Sequence, residues 1–368
     1  MRILHVINSL ATGGAEKLIL DTLPLYKQKG VHVDLLLLWD NNCIFTQELK
    51  KMDCCTIHIL KTSKNYKDIY NVLSIFKIAK ILKNYDLAHV HLFPAQYYVV
   101  FANILISNKC KLVFTEHNTT NRRIKSKLFK PLESFIYKRY TKLVCITEEI
   151  KNIYINYLNK SVSQLVVIQN GVNIENITEA KPYDKLSLNS QISSEDVVLI
   201  QVAAFRPQKD QLTLIKAMQF LPIHFKLILI GEGENKKICE TFVTKEKLAN
   251  RVFFLGQRTD ISRLLKSVDL VVLSSHYEGL SLSSIAGLAS GVPFVASDVP
   301  GLHEIVKGYG VLFEEGNTTD LINKINNLIN DNEYYLQIAK TCLERSKHFD
   351  ISIMIVKHIQ LYKEIHEA

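Results

Sequence analysis

Four short segments of this chain place chemically capable side chains beside glycines or just ahead of a helix. In Phe205-Arg206-Pro207-Gln208-Lys209-Asp210, Arg206 and Lys209 stand three residues apart. Two cations at that spacing can clamp a diphosphate from two sides, and a solvated loop is the plainer reading. In Ser274-Ser275-His276-Tyr277-Glu278-Gly279-Leu280-Ser281, a carboxylate precedes a glycine. Glu278 can grip sugar hydroxyls there, or simply favour a helix N-terminus through the macrodipole. His117, in Thr115-Glu116-His117-Asn118, can hydrogen-bond a hydroxyl or stand as an ordinary polar group. Gly13-Gly14 lets backbone N–H groups approach an anion at a helix start, though a tight turn uses the same pair.

The elements that would position these segments alternate along the chain. Residues 3–7, 33–38, 88–91, 111–114, 142–146 and 165–168 read as strands, with helical patterns over 15–29, 69–82 and 125–140 between them. A polar stretch over 175–196, containing Pro182, reads as a linker. A second series of strands follows at 197–203, 225–230, 252–255, 270–273, 293–296 and 311–313, again separated by helical patterns. Strand-then-helix repetition implies parallel sheets covered on both faces. The expectation is α/β, with two consecutive doubly wound, Rossmann-like domains. Residues 1–173 form the first and 174–350 the second, and residues 351–368 read as a final amphipathic helix with no strand after it. All four segments follow strands, and such sheets bind ligands beyond the carboxyl ends of their strands.

Composition narrows the function classes. The chain has 368 residues, 47% hydrophobic and 22% charged, enough to bury a core without disulfides. Basic residues exceed acidic ones by 45 to 36, which suits a phosphorylated ligand or an anionic surface as well as mere solubility. The seven cysteines form no C-x-x-C pair and no zinc-site spacing, which points to a reducing cytosol and no structural metal. The dinucleotide pattern is absent, since Gly231-Glu232-Gly233 is followed by Lys236 where a third glycine belongs. That argues against a nicotinamide-dependent oxidoreductase. Met1–Ile7 reads as a strand rather than a signal peptide, and the longest apolar run, residues 97–106, falls far short of a membrane span.

In order and spacing, these segments together resemble glycosyltransferase family 4, the retaining group with the GT-B fold. The resemblance runs through Gly13-Gly14-Ala15-Glu16, His117, Asn170-Gly171-Val172-Asn173, Arg206 with Lys209, Gly256, Glu278-Gly279-Leu280, residues 289–293 and Glu304-Ile305-Val306. It implies two domains facing across a cleft, with the helix over 351–368 crossing back onto the first, and a nucleotide-diphosphate sugar, UDP- or GDP-linked, as donor. Arg206 and Lys209 would bind the diphosphate. Gly13 and Gly14 would lie near the phosphates, and His117 would contact the transferred sugar. Glu278, with Gly279, Leu280 and Ser281 after it, would hold that sugar's hydroxyls, and Gly256, Gln257 and Arg258 would flank the nucleobase. The implied reaction is transfer with retention, the leaving phosphate helping to take the acceptor proton, to a saccharide or polyprenyl-diphosphate-linked acceptor in surface polysaccharide assembly. No metal is implied, and the chain has no D-x-D motif.

One position departs from the family pattern. A second glutamate is expected eight residues after Glu278, and Ala286 stands there. That glutamate usually holds the donor ribose. Losing a charged hydrogen-bond partner costs roughly 1.5–3 kcal/mol, about 10- to 150-fold in affinity. The alternative this opens is a non-catalytic GT-B protein that binds a sugar nucleotide or a partner enzyme. Separately, Arg122, Arg123, Lys125, Lys127 and Lys130 form a basic stretch interleaved with apolar residues. It suits an anionic membrane surface or the acceptor side, and equally a solvated helix face. No nucleic-acid module accompanies it. The expected location is cytoplasmic, peripheral on the inner face of the membrane.

Overall fold

The computed structural model describes residues 1–117, 123, 126, 128–158 and 162–367. The chain divides into two compact units, Met1–Gly171 with Ile351–Ala368, and Val172–Asp350. In the first, the strands β1 (Ile3–Ile7), β2 (Val33–Leu37), β3 (Ile57–Ile59), β4 (Leu87–His91), β5 (Lys111–Glu116), β6 (Lys142–Cys145) and β7 (Leu165–Val167) form a parallel sheet. Its order is β3-β2-β1-β4-β5-β6-β7. In the second, β8 (Val197–Val202), β9 (Phe225–Ile230), β10 (Val252–Phe254), β11 (Leu270–Leu273), β12 (Phe294–Ser297) and β13 (Val311–Phe313) are parallel in the order β10-β9-β8-β11-β12-β13.

Central strands such as β1, β4, β9 and β11 are buried along their whole length, as sheets covered on both faces require. In the second unit, Phe205, Leu214, Leu229, Val272 and Phe313 meet in one apolar core. Sequence periodicity does not reveal β3, which spans three half-buried residues at the sheet edge. The helix expected over 69–82 is a 3-10 turn, Tyr66–Tyr70, followed by the helix Ser74–Leu82. The pattern over 125–140 becomes the helix Lys130–Lys138, with Pro131 in its first turn. Proline favours that position because its missing N–H has no partner there in any case.

The final helix, Ile351–Glu367, belongs to the first unit and is held by a polar contact with the sheet. His5 on β1 faces His89 on β4 in the strand register, and His91 shares their face two residues on. The Tyr362 hydroxyl meets His89 Nδ1 at 2.5 Å and His5 Nε2 at 3.1 Å, and His89 Nε2 meets Thr115 Oγ1 at 2.6 Å. One turn earlier, the buried His358 ring stacks on Tyr362. Desolvation disfavours the charged imidazolium, and charge on neighbouring rings adds to it. It pulls His5 and His358 down to about 3 and His117 to about 4, and holds His89 and His91 well below the usual range.

The consequence for stability has a definite sign. These rings stay neutral in the folded chain, while the unfolded chain binds their protons once pH falls below about 6.5. Stability present above that pH is therefore lost as pH falls below it, at about 1.4 kcal/mol per histidine per pH unit. The chain's one tryptophan, Trp39, lies in this unit, so its emission reports on it. Urea unfolding followed by that emission should lose several kcal/mol between pH 7.5 and 5.5. A flat profile would contradict a neutral buried cluster.

Candidate active site

Both sheets reverse their strand order once, β1 beside β4 and β8 beside β11. Loops leaving the two strands at such a point run in opposite directions and leave a crevice between them. In each unit, side chains tie the two loops together across that point. In the first unit, Asn8, just beyond β1, donates from Nδ2 to the Phe93 carbonyl at 2.8 Å and accepts from the Ala95 N–H at 3.2 Å.

In the second unit the tie is ionic. Lys209 Nζ lies 2.5 and 2.7 Å from the two carboxylate oxygens of Glu278. Lys209 follows β8 and Glu278 follows β11, so the pair joins residues 69 apart in sequence. Ser275 Oγ donates to the same carboxylate at 2.6 Å. The backbone supports the pair from both sides. Ser274 Oγ donates to the Asp210 carbonyl at 2.7 Å, the His276 N–H to the Gln208 carbonyl at 2.8 Å, and Gln201 Nε2 to the Lys209 carbonyl at 3.0 Å. The Glu278 side chain is only 3% exposed and that of Lys209 15%, so water screens their attraction weakly.

Glycines bring further backbone close to this pair. Gly301 adopts a φ of +84°, and a Cβ there would lie 2.2 Å from the Glu278 carbonyl oxygen. Gly233, at φ +155°, would place a Cβ 2.3 Å from the Phe205 carbonyl oxygen, against the loop that carries Arg206. Arg206 itself is exposed, and among the described residues no ion pair engages it. Ser281 caps the helix Leu282–Ala289, accepting from the Ser284 N–H, and Gly279 and the buried Leu280 lead into it. Ala286 is half-buried on that helix.

The remaining candidates are placed less uniformly. Gly256 joins the same neighbourhood, its carbonyl accepting from the Gly231 N–H at 2.8 Å, and Gln257 beside it is exposed. Arg258 instead grips Asp260 through two nitrogens at 2.8 and 2.6 Å. That hydrogen bonding, aided by the Tyr183 hydroxyl, holds the Asp260 carboxyl well below the usual carboxylate range. The pair fixes the plane of the Arg258 guanidinium and engages only its Nε and Nη2.

His117 belongs to the first unit, where its Nε2 lies 3.2 Å from His91 Nδ1. Gly13 is the N-cap of the helix Gly14–Gln28 with extended backbone, so its conformation does not demand glycine. Its missing Cβ instead makes room for Glu16, whose carboxylate folds back over Gly13 as the acid of a capping box does. A phosphate approaching that helix start meets an internal anion. Arg123 is not a free surface cation, since its Nε pairs with the fully buried Glu133 at 2.8 Å and its guanidinium stacks 4.2 Å over Phe93. Lys130 is exposed, and Arg122, Lys125 and Lys127 lie outside the described residues.

Ser275, Gln201, Asn8 and Gly301 are contacts of the candidate loops that sequence reasoning passes over. For Asn8, Gln201 and Ser275 the available signal was a polar residue at or just beyond the carboxyl end of a strand, and Gly301 carried no such signal. For a metal, His5, His89 and His91 bring ring nitrogens within 4.8 Å of one another. A tetrahedral zinc ion with bonds of about 2.1 Å needs them roughly 3.4 Å apart, and both nitrogens of His89 already hold hydroxyls. These three do not fit that ion as they stand.

Comparison with known proteins bears on the family and the fold. Residues 12–176 match the family described as Glycosyltransferase Family 4, and residues 184–345 match Glycosyl transferases group 1. The chain is 29% identical over 316 residues to the Escherichia coli UDP-Gal:alpha-D-GlcNAc-diphosphoundecaprenol alpha-1,3-galactosyltransferase, covering 82% of this chain and 79% of that one. It is 24% identical over 359 residues to the Campylobacter jejuni N-acetylgalactosamine-N,N'-diacetylbacillosaminyl-diphospho-undecaprenol 4-alpha-N-acetylgalactosaminyltransferase, covering 94% of each. The solved structure of Anabaena Alr3699/HepE in complex with UDP and glucose matches with a TM-score of 0.85 at 23% identity, covering 99% of both chains. The chain belongs to the family 4 glycosyltransferases of GT-B fold, and it is a transferase.

Replacing Gly301 by alanine should push the Glu278 backbone away from Lys209. Both the steric contact and the left-handed φ oppose a side chain, so the second unit should lose at least about 1 kcal/mol. Calorimetric unfolding of the Gly301→Ala variant, with Gly308→Ala as an open-space control, tests this.

Proposed function

We propose that this transferase moves a sugar, with retention of anomeric configuration, from a UDP-linked donor to a polyprenyl-diphosphate-linked saccharide. The pathway would be surface polysaccharide assembly, with the protein working on the inner face of the cytoplasmic membrane. The observation that carries this reading is the Lys209–Glu278 pair at the strand reversal of the second unit. The names of relatives support the donor and acceptor classes, since two act on undecaprenyl-diphosphate-linked saccharides and one solved neighbour holds UDP.

The reaction breaks the bond between the sugar's anomeric carbon and the donor's β-phosphate oxygen. An acceptor hydroxyl oxygen forms the new bond on the same face, and its proton passes to the departing phosphate. Charge grows on that phosphate in the transition state. Fixed cations aimed there lower the barrier, because they bind the leaving group more tightly than the intact donor. Arg206 and Lys209 supply them from one loop. Glu278 has two tasks in this scheme. Without donor it keeps Lys209 in place, and with donor its carboxylate accepts hydrogen bonds from sugar hydroxyls. No metal takes part, because the two cations occupy that role.

Gly279, Leu280 and Ser281 carry the backbone from Glu278 into the helix beyond it, alongside the sugar and phosphates. Gly256 and Gln257 sit toward the base, with Arg258 beside them, oriented by Asp260. His117 is neutral at physiological pH, so it serves as a hydrogen-bond partner for the sugar and not as an acid. Gly13 and Gly14 approach the phosphates once Glu16 swings clear. The Ala286 position leaves the ribose hydroxyls without their usual carboxylate, so donor binding is weakened and the leaving-group clamp is untouched.

Turnover of a UDP-sugar panel with an undecaprenyl-diphosphate-linked acceptor tests the assignment. Lys209→Met, Arg206→Ala and Glu278→Gln should each cut kcat at least tenfold in folded protein. Full activity in all three would overturn it. Ala286→Glu should tighten UDP binding by about 10- to 150-fold, and an unchanged affinity would show that the ribose contact is already made by another group.

A further inference from the structure

His117 does not stand alone at the end of its strand. In the parallel pairing of β4 with β5, His91 lies opposite Thr115, and His117 follows just beyond β5. That register brings His91 Nδ1 to 3.2 Å from His117 Nε2. The ring centroids are 5.5 Å apart and the planes tilt by 34°. His91 is 3% exposed, with the rings of His89 and His5 against it at 4.4 and 5.3 Å. His89 is itself fixed through both nitrogens, to Tyr362 and to Thr115. His91 is therefore a firmly held ring with one nitrogen on His117.

The protons of the two rings have a definite arrangement. Burial disfavours the charged form of each, so each carries one N–H and one lone pair. Across their contact one ring donates and the other accepts. His91 Nε2 decides which. It is buried and has no hydrogen-bond partner among the described residues. A proton there would be a buried N–H with nothing to receive it, the rarer kind of orphan and a costly one. With the proton on Nδ1 instead, His91 donates to His117 and keeps only a lone pair at Nε2. His117 Nε2 then accepts, and the His117 proton sits on Nδ1, which no described residue engages. The partner of one imidazole nitrogen thus sets what the other can offer.

We propose that His91 is a positioning residue for sugar transfer, holding His117 as the Nδ1–H tautomer so that it donates a hydrogen bond to an oxygen of the transferred sugar. The inference deepens the donor reading and rests on His117 meeting that sugar. It also names the chemistry the contact selects. A sugar whose group at that place offers no lone pair leaves the Nδ1–H unpaired and is rejected.

The tautomer can be read in the full chain without any substitution. Long-range proton–nitrogen correlation spectra of protein labelled with nitrogen-15 histidine distinguish Nδ1–H from Nε2–H rings, and the signals lost in His117→Ala identify His117. Wild-type His117 should be the Nδ1–H form. His91→Leu should return it to the Nε2–H form that an unconstrained imidazole prefers. His91→Asn, whose amide nitrogen can stand where Nδ1 does, should retain the wild-type form. Turnover should follow the same order, measured with an undecaprenyl-diphosphate-linked acceptor and whichever of UDP-glucose, UDP-galactose and their N-acetylamino counterparts reacts fastest. His91→Leu should lower kcat about tenfold at unchanged UDP affinity, and His91→Asn should recover most of the loss. An Nε2–H ring in the wild type, or the same tautomer in His91→Leu, would overturn the proposal. So would equal losses of turnover in the leucine and asparagine variants, the result of a role in packing alone. Failure of the sugar contact would show separately, as full turnover of His117→Ala with the tautomer response to His91→Leu intact.

Discussion

The second unit depends on one ion pair placed where its sheet changes direction. A lysine beyond β8 and a glutamate beyond β11 have no reason to meet in sequence, 69 residues apart. They meet because the strand order reverses between those two strands, and the loops that leave them are the ones a reversal brings side by side. Removing either partner would leave a nearly buried charge alone, which costs more than the pair contributes. The surrounding hydrogen bonds from Ser274, Ser275, His276 and Gln201 follow from the same requirement, since polar groups this buried must be satisfied. A cation held this way is already oriented before any ligand arrives, and preorganised charge is what stabilises a departing phosphate.

The first unit solves a different problem with similar means. Its sheet carries histidines on one face at period two, where aliphatic residues would ordinarily stand, and the last helix of the chain supplies a tyrosine hydroxyl to meet them. Burial keeps the rings neutral, so the helix is attached by hydrogen bonds and stacking, without charge. Because that helix follows the whole second unit in sequence, the first unit is assembled from segments on both sides of the second.

Most of the architecture is legible in the sequence because buried parallel strands are continuous apolar runs and the helices between them are amphipathic. β3 is not, since three half-buried residues have too little periodicity to register. Arg206, Lys209 and Glu278 are legible as candidates from residue type and position after strands. Their mutual geometry is not, because ion pairs between distant segments leave no local trace. The same blindness affects Arg123 and Arg258, which look like free cations in sequence and are bound to Glu133 and Asp260 in the fold. Gly13 shows a subtler case. A glycine suggests close approach of backbone to a phosphate, and here it first makes room for the Glu16 carboxylate.

The central claim is that Arg206 and Lys209 read the donor's diphosphate. Calorimetric titration of the protein with UDP and with UMP isolates that contact, because the two ligands differ by one phosphate. The account predicts that UDP binds at least tenfold tighter than UMP, and that the ratio collapses toward one in the Arg206→Ala, Lys209→Met double variant. An unchanged ratio in that variant would contradict the claim and place the phosphate contact elsewhere in the chain.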